Sequence, residues 1–274
     1  MKVFRACAVS ATIAMACVAA PSAFGQRMFG GGMRDFGTSD MAKIFGKNQA
    51  FTAAGEVSIT DKQRPEPMQM ESTYAFLKGN FRTETDMTSI QGGGMSPQTI
   101  AQIKQMGMER TINIYRGDKK LIYLIYPGLK SYCEVTPGQA KQADKPEQKE
   151  PKIDITALGK ETVDGHPCVK NKVTITNDDG SQHEMLTWNA SDLNDFPIQT
   201  EMQTSGATIS THFRDIKLTA PDASLFEAPT DYKEYGSVQE MMMSNMQRFM
   251  PPGAGQQGSL PPPHGGMPPQ GGNQ

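Results

Sequence analysis

One tryptophan, four cysteines and four histidines are all this chain carries of the residues that most often build redox, metal or nucleophilic centres. Cys7 and Cys17 lie near the start, which leaves Cys133 and Cys168 for the rest of the chain. No CxxC pair exists, so a thioredoxin-type role has no support. His166, His183, His212 and His264 occur in none of the HxH, HxxxH or HExxH spacings. A zinc site needs roughly three or four converging ligands, and the histidines read as surface or turn residues. His183 and His212 alternate with strand residues and would be neighbours only if their strands were. GxSxG and SxxK are missing, and no cysteine has a matched base. Gly92-Gly93-Gly94 stands before a helix, but a phosphate-binding turn also needs a parallel βαβ frame, which is absent. Asn177-Asp178-Asp179-Gly180 is too short for an EF-type calcium loop. An excess of either charge is missing too. The 27 Lys and Arg against 29 Asp and Glu argue against nucleic acid or an anionic membrane surface as a partner. No catalytic set, metal site or cofactor is expected.

Long apolar runs are missing except at the beginning. Lys2 and Arg5 precede a small-residue and apolar stretch from Ala6 to Ala20, and Ala23-Phe24-Gly25 places small residues where a signal peptidase reads them. Residues 1–25 therefore read as a signal peptide cut before Gln26. The stretch is shorter than the roughly 20 apolar residues of a spanning helix. A competing reading is lipidation at Cys17, since Ile13-Ala14-Met15-Ala16-Cys17 loosely resembles a lipobox, with Ala14 where Leu is usual. The expected destination is export, to a bacterial periplasm or, through Cys17, to an outer membrane as a lipoprotein.

Residues 26–37 are glycine-rich and read as flexible. Residues 251–274 are almost wholly Pro, Gly and Gln, too poor in apolar surface to offset their ordering entropy, and read as a disordered tail. Residues 38–250 read as one domain. Thr38, Ser39 or Asp40 caps a short helix that stops at Gly46. Alternating strands then follow at 51–60, 68–77 and 81–88, with Lys78-Gly79-Asn80 as a turn. Ser96-Pro97 opens a helix whose Ile100, Ile103 and Met106 fall on one face and which Gly107 ends. Strands resume at 110–116, 119–126 and 130–135. After a charged loop at 137–152 come strands at 153–163, 168–176, 182–188, 198–204 and 208–218, with Asp178-Asp179-Gly180 as a hairpin signal. Residues 223–229 read as extended and 238–250 as a last helix. Strand following strand through short turns means antiparallel pairing, and a sheet this wide curls.

Two residue types need an explanation of their own. Cys133 and Cys168, an even pair in an exported chain, are expected to form a disulfide. It would close a loop of about 35 residues and contribute roughly 3–4 kcal/mol; the other reading is two buried thiols. Methionine is abundant, with 19 in the chain, and Met241, Met242, Met243, Met246 and Met250 crowd one helix. Met242, Met246 and Met250 share a stripe at i, i+4, i+8. Three readings stay open: a thioether site for Cu(I), an adaptable apolar surface, or a helix packing on a sheet.

With these segments in order, the chain resembles the LolA/LolB-like superfamily of lipoprotein-carrier half-barrels, and within it an exported bacterial branch of unknown function. The likeness is carried by Phe51–Ile59 after a short helix, Phe76-Leu-Lys-Gly-Asn-Phe-Arg82, Tyr126-Pro-Gly-Leu-Lys-Ser-Tyr132 and Leu158-Gly-Lys-Glu-Thr-Val-Asp-Gly165 with Cys168. Trp188-Asn-Ala-Ser-Asp-Leu193, Phe196-Pro197 and Leu225-Phe-Glu-Ala-Pro229 complete it. The resemblance implies a mainly β domain with minor α: one strongly curved antiparallel sheet, or incomplete barrel, of about ten or eleven strands, with short helices over its concave face. It implies no transferable site residue, because the carriers' retention and membrane-insertion motifs are not matched.

Three functions follow as expectations. The first is a non-enzymatic envelope protein holding a lipid, lipoprotein or other apolar ligand in the concavity, with Ile100, Ile103, Met106, Met242, Met246 and Met250 as ligand or lid residues. The second is a structural or protein-interaction module whose core is self-filled. The third is a Met-rich periplasmic copper-binding protein.

Overall fold

The computed structural model describes residues 44–45, 47–61, 66–136, 152–176, 180–204 and 206–249. The expected signal peptide, glycine-rich stretch, Asp178-Asp179 turn and Pro-rich tail all lie outside these residues, as do most of the first helix and of the charged loop.

Twelve strands form one sheet: β1 (Ala50–Asp61), β2 (Met68–Leu77), β3 (Asn80–Gln91), β4 (Arg110–Arg116), β5 (Leu121–Tyr126), β6 (Ser131–Val135), β7 (Lys152–Val163), β8 (His166–Thr176), β9 (Gln182–Ala190), β10 (Phe196–Gln203), β11 (Ala207–Lys217) and β12 (Lys233–Tyr235). Their order is β12-β6-β5-β4-β3-β2-β1-β11-β10-β9-β8-β7. Each half is a meander, and β1 joins the halves by pairing with β2 on one side and β11 on the other. Tight turns set the registers. Lys78 and Gly79 at φ 48° and 88°, and Asp164 and Gly165 at 50° and 82°, make two-residue turns with left-handed backbones, which match the twist of their flanking strands.

One expectation needs correcting. The sheet is not wholly antiparallel, because β12 runs parallel to β6, with Lys233 beside Ser131 and Tyr235 beside Cys133. The chain reaches it by a strap, residues 218–232, that crosses the sheet instead of turning back at its edge. Ala223–Phe226 within the strap is a 3₁₀ turn, where the sequence suggested an extended piece.

Paired residues share a face. Phe51 lies opposite Phe76, Phe76 opposite Phe81, Val57 opposite Met70, and Gly55 opposite both Ser72 and Phe213. This face is apolar and covered. Gly55 keeps it close-packed, since a Cβ there would lie 2.8 Å from the Tyr74 ring. Phe45 reports the curvature. Its ring centroid is 6.0 Å from that of Phe81 on β3 and 5.3 Å from that of Phe196 on β10. Those strands stand four places apart, roughly 19 Å on a flat sheet. One ring touches both because the sheet bends around it. The bend stops short of closure, since β12 and β7 pair with each other nowhere.

Among the described residues, two helices sit on the sheet. α1 (Pro97–Gln105) starts at Ser96, whose Oγ accepts the Thr99 N–H at 3.1 Å, with Pro97 in the first turn. α2 (Val238–Phe249) packs on β6 and β12.

Candidate functional site

The covered face divides into apolar patches, each with its own cover. Ile44 packs on Val173, Ile175, Met185 and Met202. Phe45, 1% exposed, fills the centre among Phe51, Phe81, Phe196 and Phe213. α1 lies over Val57, Met68, Met70, Met87 and Ile90, which Ile103 touches. α2 lies over Cys133 and Tyr235, anchored by Met241 at 0% exposure.

The grip of these covers differs. No residue of α1 is fully buried, and Ile100, Ile103 and Met106 are all half-buried. In α2 the anchor is Met241, with Met242 partly buried beside it, while Met243 is 60% exposed. Sequence spacing favoured the stripe through Met242. The register of the Cys133 pocket selects its neighbour instead. The side chain of Met246 and all of Met250 lie outside the described residues.

The disulfide is not formed. Cys133 and Cys168 are free and buried. Cys133 is on β6 and Cys168 on β8, with β5, β4, β3, β2, β1, β11, β10 and β9 between them in the sheet. They pack in separate core clusters, and a bridge needs Cα atoms within about 7 Å. Both exist as protonated thiols. Burial pushes Cys133 up to about 11, with Glu240 and Glu234 adding to the effect, and burial also raises Cys168.

Cys133 Sγ lies 3.9 Å from Met241 Sδ, a pair of soft atoms that no motif joins. Both residues are 0% exposed and belong to one buried cluster with Tyr235. The pair acts as packing for α2.

The remaining titratable contacts lie on the opposite face and at the rims. His166 Nδ1 is 2.8 Å from Asp192 Oδ2, and His212 Nε2 is 2.5 Å from Asp164 Oδ2. His183 and His212 are not neighbours, because β10 separates their strands. By type, Cys168, His166 and Asp192 could suggest a nucleophile and its base. Cys168 instead donates to the His166 carbonyl at 3.4 Å and is only 2% exposed, with its pKa raised. Among the described residues no group of three or more His, Cys, Asp or Glu side chains is placed to hold a metal ion.

The strap covers the other face of β2 to β6. Phe226, 1% exposed, is its plug among Ile112, Ile114, Leu121, Tyr123 and Ile125. Arg116 is its clamp. It donates to both carboxylate oxygens of Asp118 at 2.8 and 2.7 Å and to the Phe226 carbonyl at 3.1 Å, and Nη1 lies 2.5 Å from Glu227. These bonds hold Asp118 at about 2, and Arg116 lowers Glu227 as well. Beside the plug a cleft of about 440 Å3 opens between the strap and Ile112 and Ile125, with Arg82 at its wall. Arg82 is already spent on Glu84 at 2.7 Å and the Leu225 carbonyl at 3.2 Å.

These features define a class: an open, bent sheet with an apolar face under helical covers and a strap across its back. Residues 54–212 match the model of a family described as a domain of unknown function, DUF4412, and the chain belongs to that family. No curated protein matches. Among solved structures, a LolA superfamily protein from Nitrosomonas europaea is 12% identical, with 68% of this chain and 96% of that chain covered and a TM-score of 0.33. The lipoprotein LppX from Mycobacterium tuberculosis is 10% identical, over 66% and 96%, with a TM-score of 0.32. LprF from Mycobacterium bovis is 11% identical, over 68% and 97%, with a TM-score of 0.29. No helix among the described residues is long and apolar enough to cross a membrane.

Proposed function

We propose that this chain is an exported, non-enzymatic binding protein of the cell envelope that takes an apolar chain, such as a lipid or the acyl part of a lipoprotein, against its covered face. One observation carries the reading: α1 buries none of its nine residues fully, while the floor beneath it is Val57, Met68, Met70, Met87 and Ile90. A cover held by Ile103 and partial contacts is inexpensive to lift. The floor it would uncover rewards an apolar occupant at roughly 25 cal/mol per Å2. Ile100, Ile103, Met106 and Met242 on the covers would meet such a ligand, and the sequence pattern adds Met246 and Met250 as candidates. Methionine suits variable chains because it is flexible and polarizable.

A second reading has its own support. At the centre of the face Phe45, Phe51 and Phe196 are each 0–1% exposed, so this part is already filled by the chain itself. A self-contained interaction module would look the same there. The two readings separate on purified protein starting at Gln26. Solvent extraction with mass spectrometry looks for carried lipid, and a fluorescent fatty acid is titrated and then displaced. Binding that strengthens in Ile103→Ala, which loosens α1, is the expected result. Absence of both carried lipid and fatty-acid uptake, in wild type and variant, would leave the self-filled module.

A further inference from the structure

β7 ends the sheet with twelve residues, and among the described residues no strand lies along its outer edge. The opposite end, β12, has three residues. A long free edge invites further pairing unless charges, bulges or a covering element guard it. Charges stand in both halves of β7, Lys152 and Asp154 in one and Lys160 and Glu161 in the other, but the bulge between Ala157 and Gly159 falls only at the start of the C-terminal half. The N-terminal half, Lys152-Ile153-Asp154-Ile155-Thr156-Ala157, runs in unbroken register along β8. Ile155 there lies opposite Val173, which is 2% exposed, yet is itself 64% exposed. The apolar patch of Val173, Ile175 and Met185 thus continues to the rim of the sheet and stops uncovered.

We propose that this edge pairs, antiparallel, with β7 of a second copy of the chain, centred on Ile155. Charge removes two competing registers, and cover for the exposed Ile155 favours this centre among the rest. Cross-strand partners must share a face, and like charges placed opposite one another oppose pairing. A register centred on Asp154 sets the two Asp154 carboxylates face to face. The longer register that sets Ile155 opposite Lys160 sets Asp154 opposite Glu161 twice. Centred on Ile155, the pairs are Ile155 with Ile155, Asp154 with Thr156, and Ile153 with Ala157, with no like charges opposed. Ile155 of each copy then covers the other across the two-fold axis. Pro151 in front and the bulge behind limit the ladder to this window. This inference concerns the rim of the sheet and is independent of what the covered face binds.

Light scattering across a concentration series is the first test, on chain starting at Gln26. The expected result is a mass that doubles with rising concentration. Ile155→Lys should hold the single-chain mass throughout with an unchanged circular-dichroism spectrum, because the side chain is exposed. Ile155→Cys is the second test. Directly opposed residues have Cα atoms about 4.5–5.5 Å apart, within disulfide range. Mild oxidation should therefore link Ile155→Cys into a dimer and leave Lys160→Cys unlinked; buried Cys133 and Cys168 contribute no background. A single-chain mass at every concentration, a dimer that survives Ile155→Lys, or equal cross-linking of the two cysteine variants would overturn the proposal.

Discussion

Trp188 on β9 donates its indole N–H to Glu161 on β7 at 2.6 Å, although β8 lies between the two strands. Lys170 of that intervening strand sits 4.5 Å over the indole ring and 3.6 Å from the same carboxylate. The contact ties the edge hairpin back over its neighbours. Because Trp188 is the single tryptophan, its emission reads this tie without interference. Glu161→Ala is expected to shift emission to the red and lower stability by about 1–2 kcal/mol, the range of a charge-assisted hydrogen bond at a half-exposed site. Glu161→Gln, which keeps an acceptor, should lie closer to wild type.

The strap should loosen in acid. Arg116 holds Asp118 at about 2, below its ordinary 3.8. A carboxylate with a lowered native pKa contributes stability that is present above the unfolded value and lost as pH falls through the native one. The window is therefore between about pH 4 and pH 2, and Glu227, lowered by the same arginine, acts in the same direction. Urea midpoints measured down this range should fall in wild type and fall less steeply in Asp118→Asn. Arg116→Ala should cost about 2 kcal/mol at neutral pH and expose Phe226.

Both thiols should be inert in the folded protein. A thiol reagent at neutral pH is expected to find almost no reactive group in chain starting at Gln26, and two after denaturation. The pH dependence follows from Cys133 at about 11. The folded state disfavours its thiolate, so stability is lost as pH rises from the unfolded value of roughly 8.5 towards 11. Cys133→Ala should remove that part of the alkaline slope in urea melts. A full count of thiols in native protein would show that α2 does not seal β6.

Phe45 is the test of the central plug. It packs on Phe51, Phe81, Phe196 and Phe213 with ring centroids between 4.6 and 6.0 Å. Phe45→Ala should destabilise the domain by about 3–5 kcal/mol, as for other large-to-small core changes. A denaturant melt measures this directly. A cost below about 1 kcal/mol would mean that Phe45 is a detachable cover and not part of the core.

Local pattern carried most of the fold. Met68–Leu77 alternates so regularly that its bounds as a strand were legible to the residue, and Ser96-Pro97 marked the start of α1 by cap chemistry alone. β12 was not legible, because Lys233-Glu234-Tyr235 becomes a strand only through β6, about a hundred residues earlier. The disulfide expectation failed for the same reason. Parity and compartment suggest a bond, but strand order decides whether two cysteines can meet, and it sets Cys133 and Cys168 near opposite ends of the sheet. Among the methionines, helical spacing favours a stripe through Met242, whereas the residue that enters the pocket is Met241, through its contact with Cys133. The Arg116 clamp and the Trp188–Glu161 tie join segments whose approach is set by topology, and no motif announces them.

The parallel docking of Lys233–Tyr235 beside Ser131–Cys133 also fixes an order of events during synthesis. The outer side of β6 has no strand partner until residue 235 has been made, so this rim of the sheet is sealed about a hundred residues after β6 itself. Any chaperone or translocation partner that grips the nascent chain by an open strand has that interval in which to act, and the last strand to arrive is the one that ends it.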